Sequence, residues 1–559
     1  MRVCRQISTT GLFFCGIILL IVYLCSMRWN MALPISMFWL SFGLVISSII
    51  LQIFYIKSFD IRIMLLELSV LCIALHLIYQ IPYSGLYGSD IYFDLASTKG
   101  ILTSGFIRGS ETLINNTAYW PIIHIYGVVC SDVTGCGIKM IAKWLPSFIG
   151  VIPILMLYLL VKQLFKKDSI AILSTLLFVC LEHHILFSSL FIRETVALVS
   201  AICCIYLYFT AKRSSRPIIY LVLAILFLIV TILAHHLTSF MLVLFFLLHF
   251  IVSWCFERYA NNNHNIVIVS PITLSFLLLA FVLTFSYWVY VINAPLYSLA
   301  LFIKDLLTPG AWFAGTYSQV ADMTYSSIPS LRGRIMYLGF YFFNFIFAAI
   351  LLYNLRPQKF VRVENYSFTL YLFLCGLVGF LSLYLIKVRA YPDRFLMFGW
   401  LFGFAPLVFA IMSFIKERHK KLGIALLFMF MFFNIYTIEP TAWDTKSRNR
   451  GYVPATTQED YSFAETLDFS KGKVLATYVN QSMVIYDIYN KRVDGLSSLN
   501  DDAGLLDYDY IIVQKYRFKD IKESSRKISK IKKISNQSDW GWNTVYESKS
   551  LATYVKIDY

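Results

Sequence analysis

Long apolar runs separated by short polar turns fill the chain from its N-terminus to about residue 439. A helix that crosses a bilayer needs about 20 consecutive apolar residues. Thirteen segments meet or approach that length: 12–26, 33–56, 63–81, 144–161, 170–189, 192–211, 217–234, 237–256, 266–291, 335–355, 366–386, 395–415 and 422–438. Beyond residue 439 the runs stop. Residues 474–479, 483–487 and 510–514 are short β-branched or aromatic stretches bounded by turn residues, which predict strands. Residues 515–533 alternate charge and polarity at helical spacing and predict a solvated helix. The pattern predicts an all-α polytopic membrane protein with a small C-terminal α/β domain. Residues 1–439 form the membrane domain, with outer loops at 82–143 and 292–333, and residues 440–559 form the α/β domain.

Composition agrees. Of 559 residues, 58% are hydrophobic and 14% charged, against about 45–50% and about 25% in a soluble chain. That excludes a soluble enzyme, a disordered chain and a nucleic-acid binder. The net charge is +16, and residues 440–559 hold 18 basic and 16 acidic residues, so +14 belongs to the membrane part. Of the 30 bases there, 18 fall in seven short segments on one side, the richest around Lys162, Lys212, Arg356 and Lys416. Positive charge gathers in short cytoplasmic loops, so the N-terminus is expected inside and, with an odd helix count, the C-terminal domain outside the cytoplasm. Arg2 and Arg5 precede an apolar run with no small-residue cleavage site, which reads as an uncleaved signal anchor. The lysine- and isoleucine-rich tail leans toward a prokaryotic plasma membrane.

Most of the 11 cysteines sit in or beside apolar helices, where Cys is a small hydrophobe. Cys130 and Cys136 share an outer loop and could form a local, structural disulfide. The odd count and the lack of a Cys-x-x-Cys pair argue against a metal or redox framework.

Polar groups in an apolar protein each need a reason. Asp90 and Asp94 are four apart, so on a helix they share a face. Two carboxylates there suit a general base or a metal site. The same spacing suits a surface helix capped by Ser89 or Asp90, with Asp94 merely solvated. The next outer turn carries Glu182, His183, His184, Arg193 and Glu194, and a second pair, His235 and His236, follows the seventh helix. His124 is a further outer candidate. Imidazole beside carboxylate can bind a divalent ion, stabilise phosphate or move protons. Arg389 and Arg394 open the twelfth helix on the side that positive charge avoids, where forked hydrogen bonds could hold a lipid phosphate. An Asp393–Arg394 pair capping the helix is the plainer alternative. Residues 293–333 make a long outer loop, amphipathic at first and then rich in Gly, Ser and Thr.

On these residues the chain resembles the GT-C superfamily of membrane glycosyltransferases. The segment from Ser89 to Gly105 is similar to that superfamily's first outer loop, in which an Asp opens a short helix and a His or Asp follows a turn later. The resemblance implies that Asp90 is the catalytic or metal-orienting carboxylate and that Asp94 occupies the next acidic position. Arg389, Arg394 and Arg193 would bind the donor phosphate. The layout is most like the oligosaccharyltransferase branch, with thirteen helices and an outer C-terminal domain. There a second outer loop adds acidic metal ligands, which implies Glu182 with His183 or His184, and a divalent ion such as Mg or Mn. That branch's Ser/Thr-x-x-Glu motif has only Thr316 to Gln319 as a counterpart. Its Trp-Trp-Asp motif is missing, Trp443-Asp444 and Asp539 to Trp542 being poor substitutes.

The implied activity is transfer of a sugar from a polyprenyl-phosphate or -diphosphate donor to a protein, lipid or glycan acceptor on the extracytoplasmic face. A lipid-linked-sugar flippase or transporter is the first rival, and it predicts buried charges near the midplane and repeated halves. A non-catalytic assembly partner is the second, and it predicts that Asp90 and Arg389 are freely replaceable.

Overall fold

The computed structural model describes residues 2–29, 31, 33–55, 59–82, 85–87, 90–107, 119–262, 271–292, parts of 295–304, parts of 367–408, 420–438, and five strands between 474 and 557. Its helices are α1 (Arg2–Arg28), α2 (Ile35–Tyr55), α3 (Ile61–His76), α4 (Asp90–Ser104), α5 (Ile122–Thr134), α6 (Ile138–Ile149), α7 (Val151–Phe165), α8 (Asp168–Val179), α9 (Glu182–Ser189), α10 (Arg193–Ala211), α11 (Pro217–Ala234), α12 (His236–Asn262) and α13 (Pro271–Tyr290), followed by Lys420–Ile438.

Among the described residues, eight helices are long and apolar enough to cross a membrane, and α8 with α9 makes a bent ninth. These nine match the first nine predicted segments one for one. The predicted segments 335–355, 366–386 and 395–415 lie wholly or largely outside the described residues; those described, 367–372, 374–375, 397–401, 403–404 and 408, are helical. The chain is a multi-pass integral membrane protein. Its helices differ in depth within the bundle: 78% of the α10 span is buried, against 28% of α11. Hence α10 runs through the centre, while α11 turns Ile218 and Leu226 outward, where apolar side chains meet lipid rather than water.

The predicted fifth helix is not straight. It breaks after Val179, and α9 leaves α8 at 66°. Leu181 is extended at the break, and the amide of Glu182 donates to Asn434 Oδ1 at 3.3 Å, so α9 is tied to the helix Lys420–Ile438. Leu77–Tyr79 form a 3₁₀ turn that carries α3 out toward α4.

Among the described residues, Glu67 lies well inside a span, away from the span ends where Asp168, Glu182 and Glu194 sit. Glu67 on α3 is fully buried and accepts from Thr10 Oγ1 at 2.8 Å and from Gln52 Nε2 at 2.7 Å, joining α1, α2 and α3. Each oxygen has a donor, so this buried carboxyl group is satisfied within the bundle.

Among the described residues of the predicted loop 82–143 are α4, α5 and the start of α6, over a second core that includes Ile91, Leu95, Ile123, Ile141 and Phe191. Cys130 lies inside α5, whereas Cys136 follows the left-handed Gly135 turn that ends that helix. The expected disulfide is not made, and both thiols are free. Burial pushes the Cys130 thiol above its usual range, which keeps it protonated.

In the C-terminal part, β1 (Val474–Ala476), β2 (Asp494–Gly495), β3 (Tyr510–Gln514), β4 (Gly541–Glu547) and β5 (Leu551–Ile557) form one mixed sheet in the order β2-β1-β3-β5-β4. β1 pairs parallel with β2 and β3; β5 pairs antiparallel with β3 and β4. Two of the three predicted strands are found at 474 and 510. The predicted strand 483–487 and helix 515–533 lie outside the described residues, and the hairpin β4–β5 was not anticipated.

Candidate functional site

Asp90 is the first residue of α4, and Asp94 follows one turn later. Asp94 is not solvated: its side chain is fully buried. Its Oδ1 lies 2.9 Å from His124 Nε2 on α5 and 3.2 Å from Arg193 Nε at the start of α10. A carboxylate can only accept, so His124 donates from Nε2. Asp94 Oδ2 and His124 Nδ1 are buried with no hydrogen-bond partner, an arrangement seldom left without purpose in a folded protein.

Gly127 makes this pairing possible. A Cβ there would fall 2.7 Å from Phe191 Cζ and 3.1 Å from Thr98 Cγ2. With hydrogen in its place, α5 settles onto α4 one turn beyond His124. Thr98, itself one turn past Asp94, bonds back to the Asp94 carbonyl at 2.7 Å and stays within the helix.

Arg193 extends the cluster. Its guanidinium carbon lies 5.3 Å from the centre of the Trp120 ring, within cation–π range. Trp120 also neighbours His236, with ring centres 4.9 Å apart. His235 is adjacent, and its Nε2 lies 3.3 Å from Glu194 Oε1 while Nδ1 lies 3.0 Å from Thr238 Oγ1. Glu194 accepts, so His235 carries its proton on Nε2 and receives the Thr238 hydroxyl on Nδ1.

The structure thus brings together Asp94, His124, Arg193, Glu194, His235 and His236, drawn from α4, α5, α10 and the α11–α12 junction. The pairwise contacts run from His124 through Asp94 and Arg193 to Trp120 and His236, with His235 and Glu194 paired beside them. Two carboxylates, one guanidinium and three imidazoles can bind an anion, hold a proton or fix an acceptor group.

Of the expected metal ligands Asp90, Glu182, His183 and His184, the Asp90 side chain lies outside the described residues. His184 turns inward, stacked on Phe178 with ring centres 4.3 Å apart and bonded through Nδ1 to Ser188 Oγ at 2.9 Å. Among the described residues, the group able to converge on one ion is Cys72, His76 and His184, not an acidic one. Glu182 and His183 are not part of that group. Arg389, Arg394 and the stretch from Thr316 to Gln319 lie outside the described residues.

Trp120, Thr238 and Phe191 were not singled out from sequence. A Trp-Pro pair opening an outer helix was a usable signal for Trp120. Phe191 and Thr238 carried none.

No protein-family model matches the sequence, and no curated protein matches it. Solved structures do. The archaeal oligosaccharyltransferase AglB from Archaeoglobus fulgidus, solved with an inhibitory peptide and a dolichol-phosphate, superposes with a TM-score of 0.53 and 12% identity, over 82% of this chain and 70% of that one. ArnT from Cupriavidus metallidurans, solved with undecaprenyl phosphate bound, superposes with a TM-score of 0.50 and 8% identity, over 88% of this chain and 97% of that one. The chain therefore shares its fold with these two proteins.

Proposed function

We propose that the protein is a membrane glycosyltransferase that moves a sugar from a polyprenyl-phosphate or -diphosphate donor to an acceptor on the extracytoplasmic face. The observation that carries this reading is the buried Asp94 carboxylate, shared by His124 and Arg193, one helical turn from Asp90. A fold shared with two proteins solved with polyprenyl phosphates bound supports the lipid-linked donor.

In the transfer, the bond between the anomeric carbon and the donor phosphate oxygen breaks, and a bond to an acceptor hydroxyl or amide nitrogen forms. Asp90 takes the acceptor's proton. The bonding electron pair leaves with the phosphate, whose growing charge Arg193, Arg389 and Arg394 offset. Asp94 is a positioning residue: its Oδ1 sets the direction of both His124 and Arg193. Apolar helix faces seat the polyprenyl tail.

The rival transporter reading rests on Glu67, the buried acid inside α3. Both of its oxygens already hold donors, from Thr10 and Gln52, which suits a fixed strut better than a group that must exchange a proton or an ion.

The test is turnover of labelled polyprenyl-phosphate and -diphosphate sugars by purified protein in lipid, for wild type and Asp90→Asn side by side. Sugar transfer by wild type and its loss in the variant are expected; equal turnover in the two would overturn the role of Asp90. An EDTA arm with Mg or Mn restored reads whether a divalent ion at Asp90 and Glu182 takes part.

A further inference from the structure

The far end of α10 carries charge of one sign. The helix has 19 residues, so at 1.5 Å per residue its last turn lies about 28 Å from Arg193 and the polar cluster. Two turns of the chain meet there. Residues 162–168 lead from α7 into α8, and residues 210–217 lead from α10 into α11. Together they hold six bases, Lys162, Lys166, Lys167, Lys212, Arg213 and Arg216, against one acid, Asp168.

Hydrogen bonds join the two turns into one corner. Arg213 Nη1 donates to the Gln163 carbonyl at 3.3 Å, and Gln163 Nε2 donates to Thr210 Oγ1 at 3.3 Å. Asp168 is engaged within the corner: Lys162 pairs with it, and the Tyr158 hydroxyl donates to its Oδ1 at 2.7 Å. Lys212 rests on groups without negative charge, His249 Nε2 at 3.4 Å and the Tyr208 ring, whose centre is 5.7 Å from the ammonium. Lys166, Lys167, Arg213 and Arg216 are exposed.

Two further observations point to what binds there. Lys166 ends α7 in the left-handed conformation, with φ at 59°, and among the described residues it is the one non-glycine residue with positive φ. Glycine fills that position with least strain, so the chain keeps a charge where backbone comfort favours none. Beside the bases, α11 starts at Pro217 and turns Ile218, Ile219 and Val222 outward, 73%, 53% and 50% exposed. Bases next to an apolar, lipid-facing wall match both parts of a phospholipid, the phosphate and the acyl chains. A free phosphate would engage the bases alone.

We propose that the adjoining ends of α7, α10 and α11 form a binding site for an anionic glycerophospholipid, in the leaflet opposite the polar cluster. The exposed bases hold its phosphate, the arginines through forked hydrogen bonds, and its acyl chains lie along Ile218 and Val222. Basic pockets between membrane helices are a recurrent means of recognising such headgroups. The bound lipid braces the end of α10 against the end of α7.

The site is tested by lipid retention. Purified full-length protein is taken from vesicles of equal phosphatidylglycerol and phosphatidylcholine into neutral detergent and washed, and the lipid kept per chain is measured by mass spectrometry. About one phosphatidylglycerol per chain is expected, favoured over phosphatidylcholine by at least about fivefold, the effect of a single base near a headgroup. The Lys166→Gly/Arg213→Gln/Arg216→Gln variant should lower that preference below about twofold. It should still fold, read as an unchanged melting temperature in phosphatidylcholine, because glycine relieves the strain at residue 166. Arg356→Gln/Lys359→Gln/Arg362→Gln, the same loss of charge in another basic turn, should keep the preference. Equal retention of the two lipids by wild type, equal losses in the two triple variants, or displacement of the lipid by an equal concentration of glycerol phosphate would each overturn the proposal. The wild-type ratio decides the matter even if a variant does not fold.

Discussion

Asp94 and His124, thirty residues apart in sequence, meet at 2.9 Å with both side chains fully buried. Neither carries solvent contact that could replace the other. Arg193 joins the same carboxylate oxygen from a third helix, so the pair is the point where α4, α5 and α10 are registered on one another.

Breaking one member of this set is therefore costly. Removing a partner from a buried charge pair costs about 3–5 kcal/mol, because the remaining charge stays buried. Asp94→Asn should lower the melting temperature and abolish transfer. Adding Arg193→Gln to Asp94→Asn should recover much of the stability but none of the activity. A double-mutant cycle on thermal unfolding in detergent reads the coupling; strictly additive effects would contradict the shared geometry.

Gly127 is predicted to be intolerant. Gly127→Ala places a methyl group 2.7 Å from Phe191 Cζ, and overpacking of this kind costs about 1–3 kcal/mol. Phe191→Leu in the same chain should relieve part of that loss. Melting temperatures of the two single variants and the double variant check it.

Trp120 contacts both Arg193 and His236. A cation–π contact of this sort contributes about 0.5–2 kcal/mol. Trp120→Ala should raise KM for the lipid-linked donor by about threefold to about thirtyfold and change kcat less, since the ring orients the arginine without replacing it. A fall in kcat at constant KM would place Trp120 in the chemical step instead.

Glu67 is predicted to matter for folding and not for turnover. Glu67→Leu leaves Gln52 without its acceptor in the apolar interior, at a cost of about 1–3 kcal/mol. Glu67→Gln keeps an acceptor and should be nearly neutral once the Gln52 amide turns over. Rates per folded molecule should match wild type in both; loss of activity in Glu67→Gln with full stability would favour transport.

The spans were legible because apolar run length is a direct signal of membrane insertion, and the first nine runs are the nine spans found. The break at Cys180 was not, since residues 170–181 contain neither Gly nor Pro and the apolar run carries on through it. Helical spacing put Asp90 and Asp94 on one face, yet it could not name His124 as the partner, because that contact closes over an intervening segment. His184 was read as an outer ligand by its adjacency to His183; a helix turns successive residues about 100° apart, and His184 faces inward. Residues 548–550, between β4 and β5 in sequence, contain neither a glycine nor an Asn-Gly pair, so the usual hairpin signal is missing.

The most direct measurement follows the lipid itself. Proteoliposomes holding the intact polyprenyl-phosphate sugar and an acceptor are incubated, and the lipids are identified by mass spectrometry, leaflet by leaflet. The account predicts free polyprenyl phosphate and glycosylated acceptor on the face that carries α4 and α5, with neither formed by Asp90→Asn. Intact donor that crosses to the other leaflet, with its sugar–phosphate bond unbroken, would contradict it.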